Sequence, residues 1–240
     1  MKMDPFSFIA AILVYIAIII FIAGIAFRIF VRIKSPGTQI KLEIFPKPKN
    51  RFRRFIKILK DSFIFPQVIK TDRWMWAFTI LFHLALLIVL LGHFRLVAEF
   101  TFISNIIGDK NLNILLAVAG GTSGLIMVFA LIYFLSRRFI LSYRKVFVPE
   151  DFILIILITV ITCLGIYMRF FSKIDAEEYR KYFLSILLFK PFPPQTIADS
   201  QIRWILLWHI ISVDILIIYF TFSKLIHAIG AFFANKVRSS

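Results

Sequence analysis

The sequence predicts an all-α integral membrane protein, one domain over residues 1–240 built as a bundle of five membrane-spanning helices. Three observations predict it. The 240 residues are 60% hydrophobic and only 18% charged, with mean hydropathy +0.87. Soluble domains are usually about 45–50% apolar and about 25% charged, and a water-soluble chain of this size could not hide so much apolar surface. Five runs are long and charge-poor enough to cross a bilayer. All four histidines fall inside two of those runs. The same composition excludes a disordered chain. Few glycines and a lone Cys163 exclude collagen-like and disulfide-framework classes, and there is no CxxCH, CxxC knuckle or iron–sulfur cysteine cluster.

The five runs are Phe6–Phe27, Trp74–Phe94, Leu112–Leu135, Phe152–Met168 (extending toward Phe171) and Trp204–Ser223 (extending past His227). A helix needs about 20 apolar residues to cross the hydrocarbon core. Within these limits the first four hold no Asp, Glu, Lys or Arg, and the fifth holds only Asp214. The first run is longer than a signal-peptide core and lacks a small-residue cleavage pattern, so it is read as a retained span.

The net charge of +16 would suggest nucleic acid in a soluble protein. Here the cations cluster beside apolar spans, where they orient the chain, so nucleic acid is not an expected partner. Segment 28–73 carries thirteen Lys/Arg, 136–151 carries four, and the tail after Ser223 carries three, against nine on the other side. The positive-inside rule then puts the N-terminus outside and the C-terminus in the cytoplasm, and runs helices 2 and 4 outward in the cytoplasmic membrane. Within the basic segment, RFRRFIKILKDSF (51–63) spaces Phe52, Phe55, Ile56, Leu59 and Phe63 as a helical stripe. It reads either as an interfacial amphipathic helix or as a docking surface for a cytoplasmic subunit.

His83 and His93 lie on the second span, His209 and His227 on the fifth. Ionisable groups at membrane depth are costly and functional by default. Ten residues separate the first pair, about 15 Å along a helix. Eighteen separate the second, five whole turns, so that pair points one way. The two helices are antiparallel, which pairs His83 with His227 on the inner half and His93 with His209 on the outer half. Two imidazoles at each of two depths suit six-coordinate haem iron, two haem b in all, whereas zinc would want three or four clustered ligands. The plainer alternative is histidines bonded to neighbouring polar groups.

Other residues admit two readings each. AGGTSG (119–124) has Gly120 and Gly124 at GxxxG spacing, for helix packing or, with Gly121, for clearance of a flat macrocycle. Arg137 and Arg138 would pair with propionates of the inner haem, or anchor the helix at the cytoplasmic face. Asp214 would relay protons, or be protonated and bonded within the bundle. Asp109 and Lys110, with Arg95, lie near His93, where a quinol headgroup needs hydrogen-bond partners and a proton acceptor; loop solvation is the alternative. Trp74, Trp76, Trp204 and Trp208 fit an interfacial belt.

These residues carry a resemblance. LFHLALLIVLLGHF (81–94), AGGTSG followed by SRRF (136–139), and WHIISVDILIIYFTFSKLIHAIG (208–230) resemble the gamma subunit of respiratory nitrate reductase and its relatives. That family has five helices and two b haems. Its second helix carries two His ten apart, the second after glycine, here Gly92–His93. Its fifth carries two His eighteen apart, the second in an FS[RK]LxH context, here Phe222 to His227. Within that superfamily, the long basic segment, FPQVIKTDRWMWAF (65–78), GIYMRF (165–170) and FSKLIHAIGAFF (222–233) are more similar to the DsrM-type cytochrome b of the sulfite reductase-associated menaquinol complex of sulfate reducers.

The resemblance implies a menaquinol-linked complex, with a cytoplasmic iron–sulfur subunit related to heterodisulfide reductase. It also implies an extracytoplasmic multihaem cytochrome c and other membrane subunits. The lysine of the family's quinol site has no exact match; Lys110 lies near it, out of register. The expected function is electron transfer between menaquinone and that iron–sulfur partner in sulfate or sulfite metabolism. The alternatives are a nitrate reductase gamma subunit, or a non-redox anchor or transporter.

Overall fold

A computed structural model describes residues 5–34, 50–140 and 149–223. His227 lies outside them, as do Lys224 and the residues that follow. The described residues are helical apart from short connections: α1 (Pro5–Lys34), α2 (Arg51–Phe63), α3 (Pro66–Thr71), α4 (Arg73–His93), a 3₁₀ turn (Phe94–Leu96), α5 (Thr101–Ile107), α6 (Asp109–Phe139), α7 (Pro149–Phe171), α8 (Ala176–Leu187), α9 (Gln195–Ala198) and α10 (Ile202–Phe222). Helices α1, α4, α6, α7 and α10 are long and apolar enough to cross a membrane, and they coincide with the five runs read from sequence. The described residues fall into two compact units, one drawn from 5–16 and 81–216, the other from 17–80 and 217–223. Each unit is described by itself.

In the unit containing α2 and α3, the amphipathic helix occupies Arg51–Phe63, the span its periodicity indicates. Asn50 caps it, its side-chain oxygen accepting from Phe52 N–H at 2.9 Å. The stripe residues Phe52, Phe55, Ile56 and Phe63 stay exposed, while Ile58, off the stripe, is the buried one. Phe65 turns the chain in the left-handed region at φ 50°, and Pro66 then opens α3 at a position where its missing N–H costs nothing. Asp72 starts α4, its carboxylate accepting from Met75 N–H at 2.9 Å, and Trp76 Nε1 donates to Ile64 O at 2.7 Å. In the same unit Gly24 of α1 meets Thr221 of α10 so closely that a Cβ on Gly24 would overlap the threonine methyl group. Phe21 and Phe220 flank this crossing, with ring centroids 5.8 Å apart.

The other unit holds the rest of the spans. Here α1 buries Ala10, Ala11 and Ser7 and exposes Ile9, Ile12 and Ile16. Small residues inside and large aliphatics outside is the pattern of a helix packed in lipid. Helices α6 and α7 pack through the glycines of AGGTSG. A Cβ on Gly124 would come within 2.7 Å of Ile166 Cγ1, and one on Gly121 within 3.1 Å of Phe170 Cζ. Gly108, at φ 81°, joins α5 to α6 in a backbone conformation that favours glycine.

The chain between α7 and α10 is folded. Tyr182 and Ile186 of α8, Ile197 of α9 and Leu206 of α10 form a buried cluster against which Tyr15, Met168, Tyr179 and Ile210 pack. Tyr15 donates its hydroxyl to Ile186 O at 2.6 Å and stacks on Phe189 at 5.0 Å. Helix α8 also locks the end of α4. Arg95 Nε donates to Glu99 Oε1 at 2.7 Å, Arg180 Nη2 pairs with Glu99 Oε2, and Arg180 Nε donates to Arg95 O at 3.1 Å. Burial alone would raise the Glu99 carboxyl, but Arg95 and Arg180 outweigh it and hold the group below its usual value.

Two outcomes follow from this packing. Gly124→Leu forces α6 and α7 apart and should cost about 1–3 kcal/mol, read as a lowered thermal midpoint of the detergent-solubilised protein; an unchanged midpoint would refute the close approach. The depressed Glu99 contributes stability that is full above the ordinary carboxylate pKa of about 4.3 and is lost as pH falls through its lower folded value. The stability advantage of the native chain over Glu99→Gln should therefore hold at pH 6 and vanish toward pH 3. An advantage that stays constant across that range would exclude the carboxylate as its source.

Candidate metal centre

His93 is the last residue of α4, and His209 lies in the first half of α10. Their ring centroids lie 6.5 Å apart and their planes are 11° from parallel. His93 Nδ1 lies 2.7 Å from Val89 O, one turn back on its own helix. His209 Nδ1 lies 3.1 Å from Ile161 O on α7. A carbonyl oxygen only accepts, so in both rings Nδ1 carries the hydrogen and donates it. Each Nε2 is thereby left with a lone pair available to a metal, and the carbonyl bond fixes tautomer and ring orientation as it does in metal-binding imidazoles.

Two imidazoles sharing one metal through Nε2 would have ring centroids about 6 Å apart, and the observed spacing is compatible with that. Among the described residues no group of three or more His, Cys, Asp or Glu could hold an ion. A two-histidine site is too sparse for a bare zinc ion. Two imidazole donors would suit a haem iron, which His93 and His209 would hold.

Gly165 of α7 completes the seat of His209. A Cβ there would lie 3.4 Å from His209 Cε1 and 3.9 Å from Nδ1, in van der Waals contact with the ring. The same helix therefore supplies both the carbonyl and the clearance, from Ile161 and Gly165, one turn apart. No sequence motif marked Gly165 for this role. The only available signal was its place in GIYMRF, which spacing alone could not connect with His209.

The other candidate residues are placed as follows. His83 is exposed on α4, edge-on to Phe82 with centroids 5.4 Å apart, and Phe82 in turn meets Phe134 of α6. His227 is outside the described residues, so the structure brings together His93 and His209 only. Gly92 borders open space. Gly120 and Gly121 look onto Arg169 and Phe170 of α7, and the contacts displayed there are helix packing. Arg137 donates to the Tyr133 hydroxyl at 3.0 Å, and Arg138 lies 3.8 Å from the Asp151 carboxylate. Asp109 and Lys110 are exposed in the first turn of α6. Asp214 is buried, with no hydrogen-bond partner for its Oδ2 among the described residues.

Residues 66–238 match the nitrate reductase gamma subunit family. Two curated relatives are both described as an Hdr-like menaquinol oxidoreductase cytochrome b-like subunit. The one from Archaeoglobus profundus is 28% identical, with 92% of this chain and 75% of the relative aligned. The one from Archaeoglobus fulgidus is 31% identical, with 92% of this chain and 76% of the relative aligned. The match takes in all four histidines and every span after the first, and on this ground the chain belongs to the nitrate reductase gamma subunit family.

Proposed function

We propose that the chain is a dihaem cytochrome b, a single membrane domain that relays electrons between the menaquinone pool and a cytoplasmic iron–sulfur subunit related to heterodisulfide reductase. The observation that carries this reading is the near-parallel pair His93–His209, with both Nδ1 hydrogens committed to carbonyls. The printed description of the two Archaeoglobus relatives supports the quinol link and the Hdr-like partner. Dissimilatory sulfate or sulfite metabolism is the setting we infer. The family match also favours a second reading, a nitrate reductase gamma subunit. Which soluble subunit co-purifies with the chain, an Hdr-like iron–sulfur protein or a molybdenum enzyme, distinguishes the two.

Haem supplies reversible one-electron transfer when bound. The chain's own residues supply the rest. His93 and His209 hold the outer group and His83 with His227 the inner one, in the orientation that twenty cytoplasmic against nine external cations favour. Asp109 and Lys110 offer a quinol headgroup an acceptor and a donor at the outer end, where released protons would leave the membrane. Arg137 and Arg138 hold positive charge at the cytoplasmic end of α6. The exposed stripe of α2, set among basic residues, offers a surface to the bilayer or the soluble partner. Moving one electron inward against an inside-negative potential costs about 2.3 kcal/mol per 100 mV. Inward flow thus requires an acceptor more oxidising than the quinol pool, or coupling to another favourable step, and the residues serve the reverse direction equally.

The purified protein should show the sharp reduced-minus-oxidised bands of bis-histidine haem b. His93→Ala and His83→Ala should each halve the haem-to-protein ratio, and the double variant should bring it near zero. Undiminished haem in both single variants would refute the ligand assignment, and an optical spectrum without haem bands would refute the function.

A further inference from the structure

Arg169 sits near the end of α7, four residues and one helical turn beyond Gly165, the glycine that touches His209. One turn is about 6 Å along the axis, and positions four apart share a helix face. Its Nε donates to Ala117 O on α6 at 3.3 Å, and it passes over Gly120, where a Cβ would lie 3.6 Å from Nε. Among the described residues Arg169 makes no other hydrogen bond and no ion pair. A guanidinium has five N–H donors in a fork suited to a carboxylate. Arg169 also lies within electrostatic reach of Arg95, two residues past His93.

The charge in this corner is unbalanced. Among the described residues Arg95 and Arg180 share one carboxylate, Glu99, and Arg169 pairs with none. Three guanidiniums against one carboxylate leave two positive charges in excess. A haem b carries two propionate carboxylates, and a positive field at the rim would neutralise them in a low-dielectric setting.

Resting on the haem reading above, we propose that Arg169, passing over Gly120, binds a propionate of the haem held by His93 and His209. The Arg95–Glu99–Arg180 group supplies the remaining positive charge. Arg169 then does two things: it fixes the rotation of the macrocycle about the axis between the two imidazoles, and it raises the affinity of that haem for an electron. A guanidinium at this depth also suits a lipid phosphate, and the experiment separates the two ligands.

The test is a redox titration of the purified, haem-loaded full chain, with the haem-to-protein ratio measured alongside. The wave lost in His93→Ala identifies the haem concerned. Arg169→Gln should retain haem and shift that wave to lower potential by about tenfold in its reduction equilibrium, about 59 mV for one electron. The second wave should not move, and Arg169→Lys, which keeps the charge, should recover most of the shift. Full haem content with both waves unmoved in Arg169→Gln would overturn the proposal and leave Arg169 to a lipid phosphate. Equal loss of haem from the Gln and Lys variants would overturn it as well, because the charge would not be what matters. A wild-type chain without haem bands would remove the underlying reading before any Arg169 variant was titrated.

Discussion

The arrangement depends on two backbone carbonyls that each accept a hydrogen bond beyond the helical one. Val89 O and Ile161 O lie within helices, where each serves the residue four positions on. A carbonyl has two lone pairs, and here the second takes an imidazole N–H. For His93 the geometry is local, because its own side chain folds back one turn. For His209 the carbonyl belongs to another helix, and it is reachable because the residue one turn on is Gly165, with no side chain to cover it. Turned this way, two flexible imidazoles become a fixed pair whose Nε2 atoms are free to bind. The separation of the rings follows from the helix positions.

Holding those positions falls to different devices on different helices. Helices α6 and α7 use intimate contact, with Gly121 and Gly124 against Phe170 and Ile166. Van der Waals packing of this kind is what drives helix association in lipid, where hydrophobic burial between helices gains little. The polypeptide around His93 instead uses charge, through the Arg95–Glu99–Arg180 group that ties the end of α4 to α8. Surface ion pairs are usually weak. This one is half-buried, with one carboxylate shared by two guanidiniums, and it ties the residues just past α4 to α8.

The spans, the amphipathic helix and the nearness of His93 to His209 were legible because each follows from a local regularity. Apolar length marks a span, a helical stripe marks Arg51–Phe63, and antiparallel order matches His93 with His209. The folded segment between α7 and α10 was not legible. Its core joins Tyr182 and Ile186 to Ile197 and Leu206, and Tyr15 reaches Ile186 O across 171 residues of sequence. No local periodicity encodes such contacts. Gly165 escaped for a similar reason: a lone glycine in an apolar run acquires meaning only when a ring from another helix is laid against it. AGGTSG admitted helix packing or cofactor clearance; Gly121 and Gly124 are in close helix contact, and spacing could not say which surface would approach.

Helix α4 shows why the two devices are distributed as they are. Only Phe82 and Ala85 along it are buried, while Leu84, Leu87, Ile88, Leu90 and Leu91 are exposed. A helix so lightly packed on its flank must be fixed by its ends. At its start, Asp72 caps the first turn and Trp76 bonds to Ile64 O; just past its end, Arg95 and Glu99 engage Arg180. Fixing by the ends leaves the flank of α4 lightly covered among the described residues. Light burial is what the proposed ligand role of its histidines would require.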